Sequence, residues 1–332
     1  MYKGKPDFTQ TLTLGQKAVY YLLYGIVYTH SLLPLWFLYR LSDLLYLLLY
    51  SIVGYRKKLV RQHLRDSFPE KDEQERKRIE RAFYHWFCDY IYETIKLTSM
   101  SKKQMKRRVT YHNLDYLNKL MEEKRNVALY LGHYCNWEWV TSIGLYVPDN
   151  ILGGQVYHPL ENAAFNALML KVRSSMGPES ISMVNILRHI LKARKEGKNC
   201  VIGFISDQSP LFPATRYWTD FLNHKDTLVI TGTEQIARSC DFVCVYLDIS
   251  RPRRGYYDID IVPMTETPKA CAEWEITEMY FRLFEKTIQR EPQYWLWTHN
   301  RWKRTLEGLY AWEEYMKQKQ EQKQAKNGTE NG

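Results

Sequence analysis

Between Ala18 and Tyr39 the chain runs AVYYLLYGIVYTHSLLPLWFLY, without a single Lys, Arg, Asp or Glu. About 20 such residues cross a hydrocarbon core as a helix, so the run reads as a transmembrane segment. Buried core helices are the alternative, kept open by His30 and Pro34 inside the run. A second apolar run, Leu44 to Tyr55, is too short to span with ease and reads as lying along a surface or returning to it. The basic block Arg56, Lys57, Lys58, Arg61 and Arg65 follows, with no small-residue cleavage site before it, which argues against a cleaved signal peptide. Positive charge beside a span marks the cytoplasmic side. Residues 1–55 are therefore assigned to an anchor region, and the rest of the chain to the cytoplasm next to anionic lipid.

Beyond the anchor the hydrophobic period changes twice. Through residues 56 to 100, Phe83, Trp86, Phe87, Tyr90 and Ile91 recur at helical spacing with charges between them, which predicts helices. NVALYLG (126 to 132) is a short apolar run ending in glycine, predicted as a buried strand with a helix starting near Asn136. NCVIGFISD (199 to 207) and DFVCVYLDI (241 to 249) repeat the pattern after helix-like stretches at 183 to 197 and 231 to 239. Alternating helix and strand predicts an α/β sandwich over residues 56–316. The polar stretch 317–332, KQKQEQKQAKNGTENG preceded by Met316, is expected to be disordered or a frayed helix end. Six scattered cysteines offer no paired spacing for a metal site and read as reduced, mostly buried thiols.

GHYCNWEW (132 to 139) carries the chemistry. His133 directly follows a predicted strand, where a side chain is held rigidly yet exposed, and Glu138 is expected in the first turn of the next helix. Histidine titrates nearest neutrality and can take a proton from an attacking alcohol. A carboxylate on its other ring nitrogen would fix the tautomer and stabilise the imidazolium. Glu138 is assigned that role. When a substrate hydroxyl attacks, no serine nucleophile is needed. As a bare spacing, His and Glu five apart fits a satisfied structural pair better than a catalytic one.

Three ordered blocks decide between these. YRKKLVRQHLRDSFPEK (55 to 71), GHYCNWEW and EPQYWLWTHNRWK (291 to 303) resemble the lipid A biosynthesis late acyltransferases, the lauroyl and myristoyl transferase family. The resemblance covers roughly residues 15 to 305 and implies an N-terminal membrane anchor helix and a glycerolipid-acyltransferase-like α/β domain, a mixed sheet flanked by helices. It further implies a cell inner membrane enzyme with a cytoplasmic catalytic domain, which moves a fatty acyl group from an acyl carrier protein thioester onto a hydroxyl of a lipid A precursor. Its His-x4-acidic motif falls on His133 and Glu138, and the first Gly and the Asn of its GHxGNWE form on Gly132 and Asn136. Cys135 stands where the family's second glycine is usual. Arg173 matches a basic residue near the active site, and Asp207 and Gln208 match a DQ segment lining the cleft. Arg173, Asn136, Asp207 and Gln208 are expected to bind substrate. His299 and Arg301 match a further block, but Trp295, Trp297 and Trp302 around them favour packing.

The resemblance gives the charge a use. Lys and Arg number 47 against 37 Asp and Glu, a net +10, and such an excess attracts polyanions. Basic segments at 102 to 108 and 188 to 195 suit an acidic carrier protein, phosphorylated precursor and inner-membrane lipid. No nucleic-acid module, phosphate loop or zinc spacing is found, so no nucleic acid, metal or organic cofactor is expected. Three alternatives stand beside transfer to lipid A: another lipid acceptor such as a hydroxyacyl aminolipid or a lysophospholipid, a non-catalytic protein binding anionic lipid, and thioester hydrolysis.

Overall fold

Pro34 divides the first apolar run. The residue before a proline is pushed out of the helical region; Leu33 and Pro34 are both extended, at φ −59°, ψ 145° and φ −66°, ψ 148°. In the computed structural model, which describes residues 8–329, α1 (Leu14–Leu32) therefore ends where a single span had been predicted. α2 (Leu35–Tyr46) continues into a π-helical segment (Leu47–Val53), closed by Gly54 at φ 64°. Among the described residues the helix long and apolar enough to cross a membrane is thus Leu35–Val53, not Ala18–Tyr39. Residues 1–7 and 330–332, at the ends of the expected anchor and tail, lie outside the described part.

α3 (Lys57–Ser67) leads to α4 (Glu73–Leu97), whose start is fixed by Asp72 accepting from the Glu75 amide at 2.7 Å, with Glu73 and Glu75 facing the positive helix end. After α5 (Lys102–Lys106) come β1 (Val109–His112), α6 (Leu114–Glu122) and β2 (Asn126–Leu131). The helix expected near Asn136 is a 3₁₀ helix, Trp139–Tyr146, that Glu138 only precedes. Next stand β3 (Leu152–Tyr157), α7 (Ala163–Arg173), β4 (Glu179–Ser182), α8 (Ile186–Lys195) and β5 (Cys200–Ile205). The hairpin β6 (Trp218–Phe221) and β7 (His224–Leu228), α9 (Gly232–Cys240), β8 (Phe242–Arg253), β9 (Tyr256–Thr265), α10 (Glu275–Arg290) and α11 (Leu306–Thr329) complete the order. α11 carries the polar tail in helical form as far as Thr329.

Seven strands form one mixed sheet in the order β1-β9-β8-β2-β5-β3-β4. β8, β2, β5, β3 and β4 are parallel; β9 runs against β8, and β1 runs parallel to β9. The central strands read as continuous apolar runs because helices cover both faces of a parallel sheet. Val127, Ala128 and Leu129 of β2 and Val243, Cys244 and Val245 of β8 are all buried. Pairing of Leu131 with Ile205 brings the ends of β2 and β5 level, so the residues that follow each strand meet. In parallel α/β sheets this carboxyl edge is where ligands bind.

Gly132 is required for space. A Cβ there would overlap the Phe284 ring of α10. Gly132→Ala is expected to lower unfolding free energy by about 1–3 kcal/mol, measured by urea denaturation against wild type.

Candidate active site

His133 and Asp207 each stand two residues beyond the paired positions Leu131 and Ile205, on neighbouring parallel strands. Nδ1 of His133 lies 2.7 Å from Oδ1 of Asp207. Asp207 is buried at 2% exposure, and its other oxygen accepts from the Trp295 indole at 2.8 Å. Burial alone pushes this carboxyl up. The His133 ring, by charge and hydrogen bond, and the Trp295 donor reverse that and hold it down at about 2. Asp207 is therefore a carboxylate at neutral pH and can only accept. It follows that Nδ1 of His133 donates to it, while Nε2 lies 3.3 Å from the Gln208 amide nitrogen. The His133 side chain is 20% exposed.

Glu138 is elsewhere. Both its oxygens are taken by Arg173 at the end of α7, Nε to Oε2 at 2.8 Å and Nη2 to Oε1 at 2.6 Å. The partner expected from spacing is thus replaced by Asp207, and the reason is local. Residues 132–138 form no helix: Cys135 takes a left-handed φ of 51°, which turns the chain so that Glu138 points to α7. Such a conformation suits glycine, which explains the usual glycine there. Cys135 occupies it fully buried, its amide donating to the Tyr294 carbonyl at 2.8 Å.

The remaining expected residues divide between cleft and framework. Gln208 touches His133, and Arg173 is paired to Glu138 with its side chain 21% exposed. Asn136 is buried: its amide donates to Glu93 at 2.8 Å and its oxygen accepts from the Trp139 amide at 3.1 Å, so it braces the loop rather than lining a cleft. His299 accepts from the Ser209 amide at 3.4 Å; burial lowers it to about 4, so it is neutral. Arg301, fully buried, is lowered by burial to about 10 and donates to the Leu228 carbonyl.

Three groups were missed by sequence reasoning. Trp295 belongs to a block read as packing, yet its indole holds the carboxylate. Tyr90 of α4 stacks on Trp137 at 4.0 Å between ring centroids, and Trp137 meets the His133 ring edge-on at 5.1 Å. Glu93 of α4, at zero exposure, accepts from Asn136, from Tyr257 at 2.6 Å and from Tyr39 at 2.9 Å. A Tyr- and Trp-rich sequence offers no local sign of which rings reach the site.

A strand-end histidine oriented by a buried carboxylate, with the Glu138–Arg173 ion pair five residues on, is equipped to remove a proton from an alcohol. The family model for bacterial lipid A biosynthesis acyltransferases matches residues 5–304. The chain belongs to that family. It is similar to the lipid A biosynthesis lauroyltransferase of Escherichia coli (strain K12), 24% identical over 308 residues that cover 92% of this chain and 97% of that protein. As a lipid A biosynthesis acyltransferase it is an acyl-transferring enzyme, and the family's acceptor is a lipid A precursor.

Two outcomes follow from the site's charges. Arg173→Ala leaves Glu138, 2% exposed, without its cation; removing one partner of a buried pair costs about 3–5 kcal/mol, so the variant should melt well below wild type in differential scanning calorimetry. His299 and His224 are both lowered to about 4, chiefly by burial. Below pH 6.5 the unfolded chain takes up protons that the native state refuses, so stability should fall as pH drops from 6.5 toward 4. His224→Gln with His299→Gln should flatten that fall in a pH series of urea titrations.

Proposed function

We propose that this acyltransferase moves a fatty acyl group from an acyl carrier protein thioester to a hydroxyl on a lipid A precursor, with His133 as general base. The observation that carries this reading is the short bond from His133 Nδ1 to the ionised Asp207, which turns Nε2, met by the Gln208 amide at 3.3 Å, toward the part-exposed side of the ring. Nε2 takes the proton of the acceptor hydroxyl as its oxygen attacks the thioester carbon. A C–O bond forms, the tetrahedral intermediate collapses, the C–S bond breaks, and the imidazolium returns the proton to the leaving thiolate. Asp207 stabilises the imidazolium between these events. No covalent enzyme intermediate is needed.

Glu138 acts through Arg173. Its two hydrogen bonds commit Nε and Nη2 of the guanidinium, and Nη1 remains to meet an anion, either a precursor phosphate or the developing oxyanion. Asn136 keeps the base loop on α4, and Gln208 lies on the substrate side of the base. The excess of basic residues suits an acidic carrier protein as donor and phosphate on the acceptor. The apolar segment Leu35–Val53 suits a site at the inner membrane, with the catalytic domain on the cytoplasmic side.

Lipid A from cells lacking this protein, complemented with wild type or with His133→Ala, tests the reading by mass spectrometry. One acyl chain should be missing from the deletion strain and return only with wild type. Unchanged lipid A would reject a lipid A precursor as acceptor, and restoration by His133→Ala would reject His133 as base.

A further inference from the structure

The loop 132–138 is tied to the rest of the molecule differently on the two sides of Cys135. Up to that turn its ties run to the segment after α10: the His133 carbonyl accepts from Leu296, Tyr134 bridges Trp295, and the Cys135 amide donates to the Tyr294 carbonyl. Past it they run to α4 and α7. Asn136 donates to Glu93 at 2.8 Å, Trp137 stacks on Tyr90, and Glu138 takes Arg173. Tyr90 and Glu93 are three apart on α4 and share one face of that helix. Glu93 meets the chain a second time, its backbone carbonyl accepting from the Trp139 indole at 3.0 Å.

Glu93 is the costly member of this set. Its side chain has zero exposure, and burial pushes its carboxyl up, offset in part by Arg251 at 3.8 Å. Well-packed apolar side chains often stabilise a fold as well as a buried ionic group does, so a buried acid contributes most where it fixes a geometry. Here Oε2 accepts from Asn136 and from Tyr257 at 2.6 Å, and Oε1 from Tyr39 at 2.9 Å. The Asn136 oxygen accepts in turn from the Trp139 amide at 3.1 Å, so both ends of that side chain are committed. Between Asn136 and Trp139 the chain carries Trp137, whose ring meets the His133 imidazole edge-on at 5.1 Å. The histidine ring is thus set by two groups, Asp207 at Nδ1 and Trp137 at its flank.

We propose that Glu93 is a positioning residue for acyl transfer: through Asn136 it fixes the half of the loop that carries Trp137, and so the orientation in which His133 meets the acceptor hydroxyl. The inference rests on the reading of His133 as base, and it adds that the alignment of the base is set from α4. Glu93 acts through Asn136 and touches no substrate. Its loss therefore falls on turnover rather than on binding of donor or acceptor.

Steady-state kinetics of the purified full chain, with an acyl carrier protein thioester and a lipid A precursor, test it on Glu93→Gln, Asn136→Asp and the double variant that exchanges the two groups. Glu93→Gln should lower kcat by about tenfold to a hundredfold, the cost of a small misalignment set from outside the reacting groups. The KM for each substrate should stay within about twofold of wild type. Asn136→Asp sets two carboxylates face to face and should lose as much kcat. In the double variant an amide on α4 donates to a carboxylate on the loop across the same gap, and kcat should return to within about threefold of wild type. A purely structural Glu93, serving as partner of Arg251, predicts no such return, because the exchange takes the charge off α4. Wild-type kcat in Glu93→Gln would overturn the proposal, and so would a double variant no faster than Asn136→Asp alone. Should Glu93→Gln melt below the assay temperature, the comparison of Asn136→Asp with the double variant decides: recovery supports the proposal and its absence overturns it. His133→Ala in the same assay separates the two claims. If it turns over, the base reading fails and this inference with it; if it is inactive while Glu93→Gln matches wild type, this inference alone fails.

Discussion

A carboxylate removed from water must be matched by donors or it takes up a proton, and Asp207 is matched twice, by His133 Nδ1 and by the Trp295 indole. That one requirement organises the site. It fixes the histidine tautomer, ties the segment after β2 to the segment after β5, and brings the Pro292–Trp297 stretch over both. The backbone repeats the tie. Leu296 donates to the His133 carbonyl at 3.2 Å, and Tyr134 and Trp295 form an isolated antiparallel bridge. His133 is held from three directions before any substrate arrives, which suits the role of base proposed for it.

Two other buried acids do separate work. Glu138 is consumed by Arg173 and converts a cation on α7 into a fixed feature of the site. Glu93 gathers donors from α2, β9 and the base loop through Tyr39, Tyr257 and Asn136. Its neighbour Asp89, also at zero exposure, accepts from Ser42 of α2 at 2.6 Å and from Arg251 at 2.7 Å. The apolar N-terminal helix is therefore fastened to the catalytic domain by its polar side, while Trp36, Leu44 and Ile52 face outward at 67%, 62% and 78% exposure. Helix α2 and the base loop share one hydrogen-bonded network through Glu93.

Local signals carried the reading of the sequence a definite distance. Strands at 126–131, 200–205 and the start of β8 are legible because a buried parallel strand is a continuous apolar run. β3 and β4 are not, since Gly153, Gly154, Ser180 and Ser182 dilute the pattern. The charge-free run from Ala18 hid its own break at Pro34, where local φ and ψ preferences outweigh hydropathy. His133 was legible from its place after a strand. Its partner was not, because that depends on β2 lying beside β5, a pairing between residues far apart in sequence. Glu138 sits at the right spacing for a helix that Cys135, at positive φ, prevents. The role of Arg173 was legible only as a cation near the site; its commitment to Glu138 belongs to the packing of α7.

The central claim is that Asp207, and not Glu138, is the carboxylate that serves the base. Steady-state kinetics of Asp207→Asn and Glu138→Gln, measured side by side with donor and acceptor varied separately, test it most directly. The account expects Asp207→Asn to lower kcat by about 10³–10⁴, the size of effect that a wrongly oriented tautomer produces in hydrolase triads, with little change in either KM. It expects Glu138→Gln to act mainly on the KM for acceptor, through Arg173. Near wild-type kcat in Asp207→Asn, together with a collapse of kcat at unchanged KM in Glu138→Gln, would contradict it.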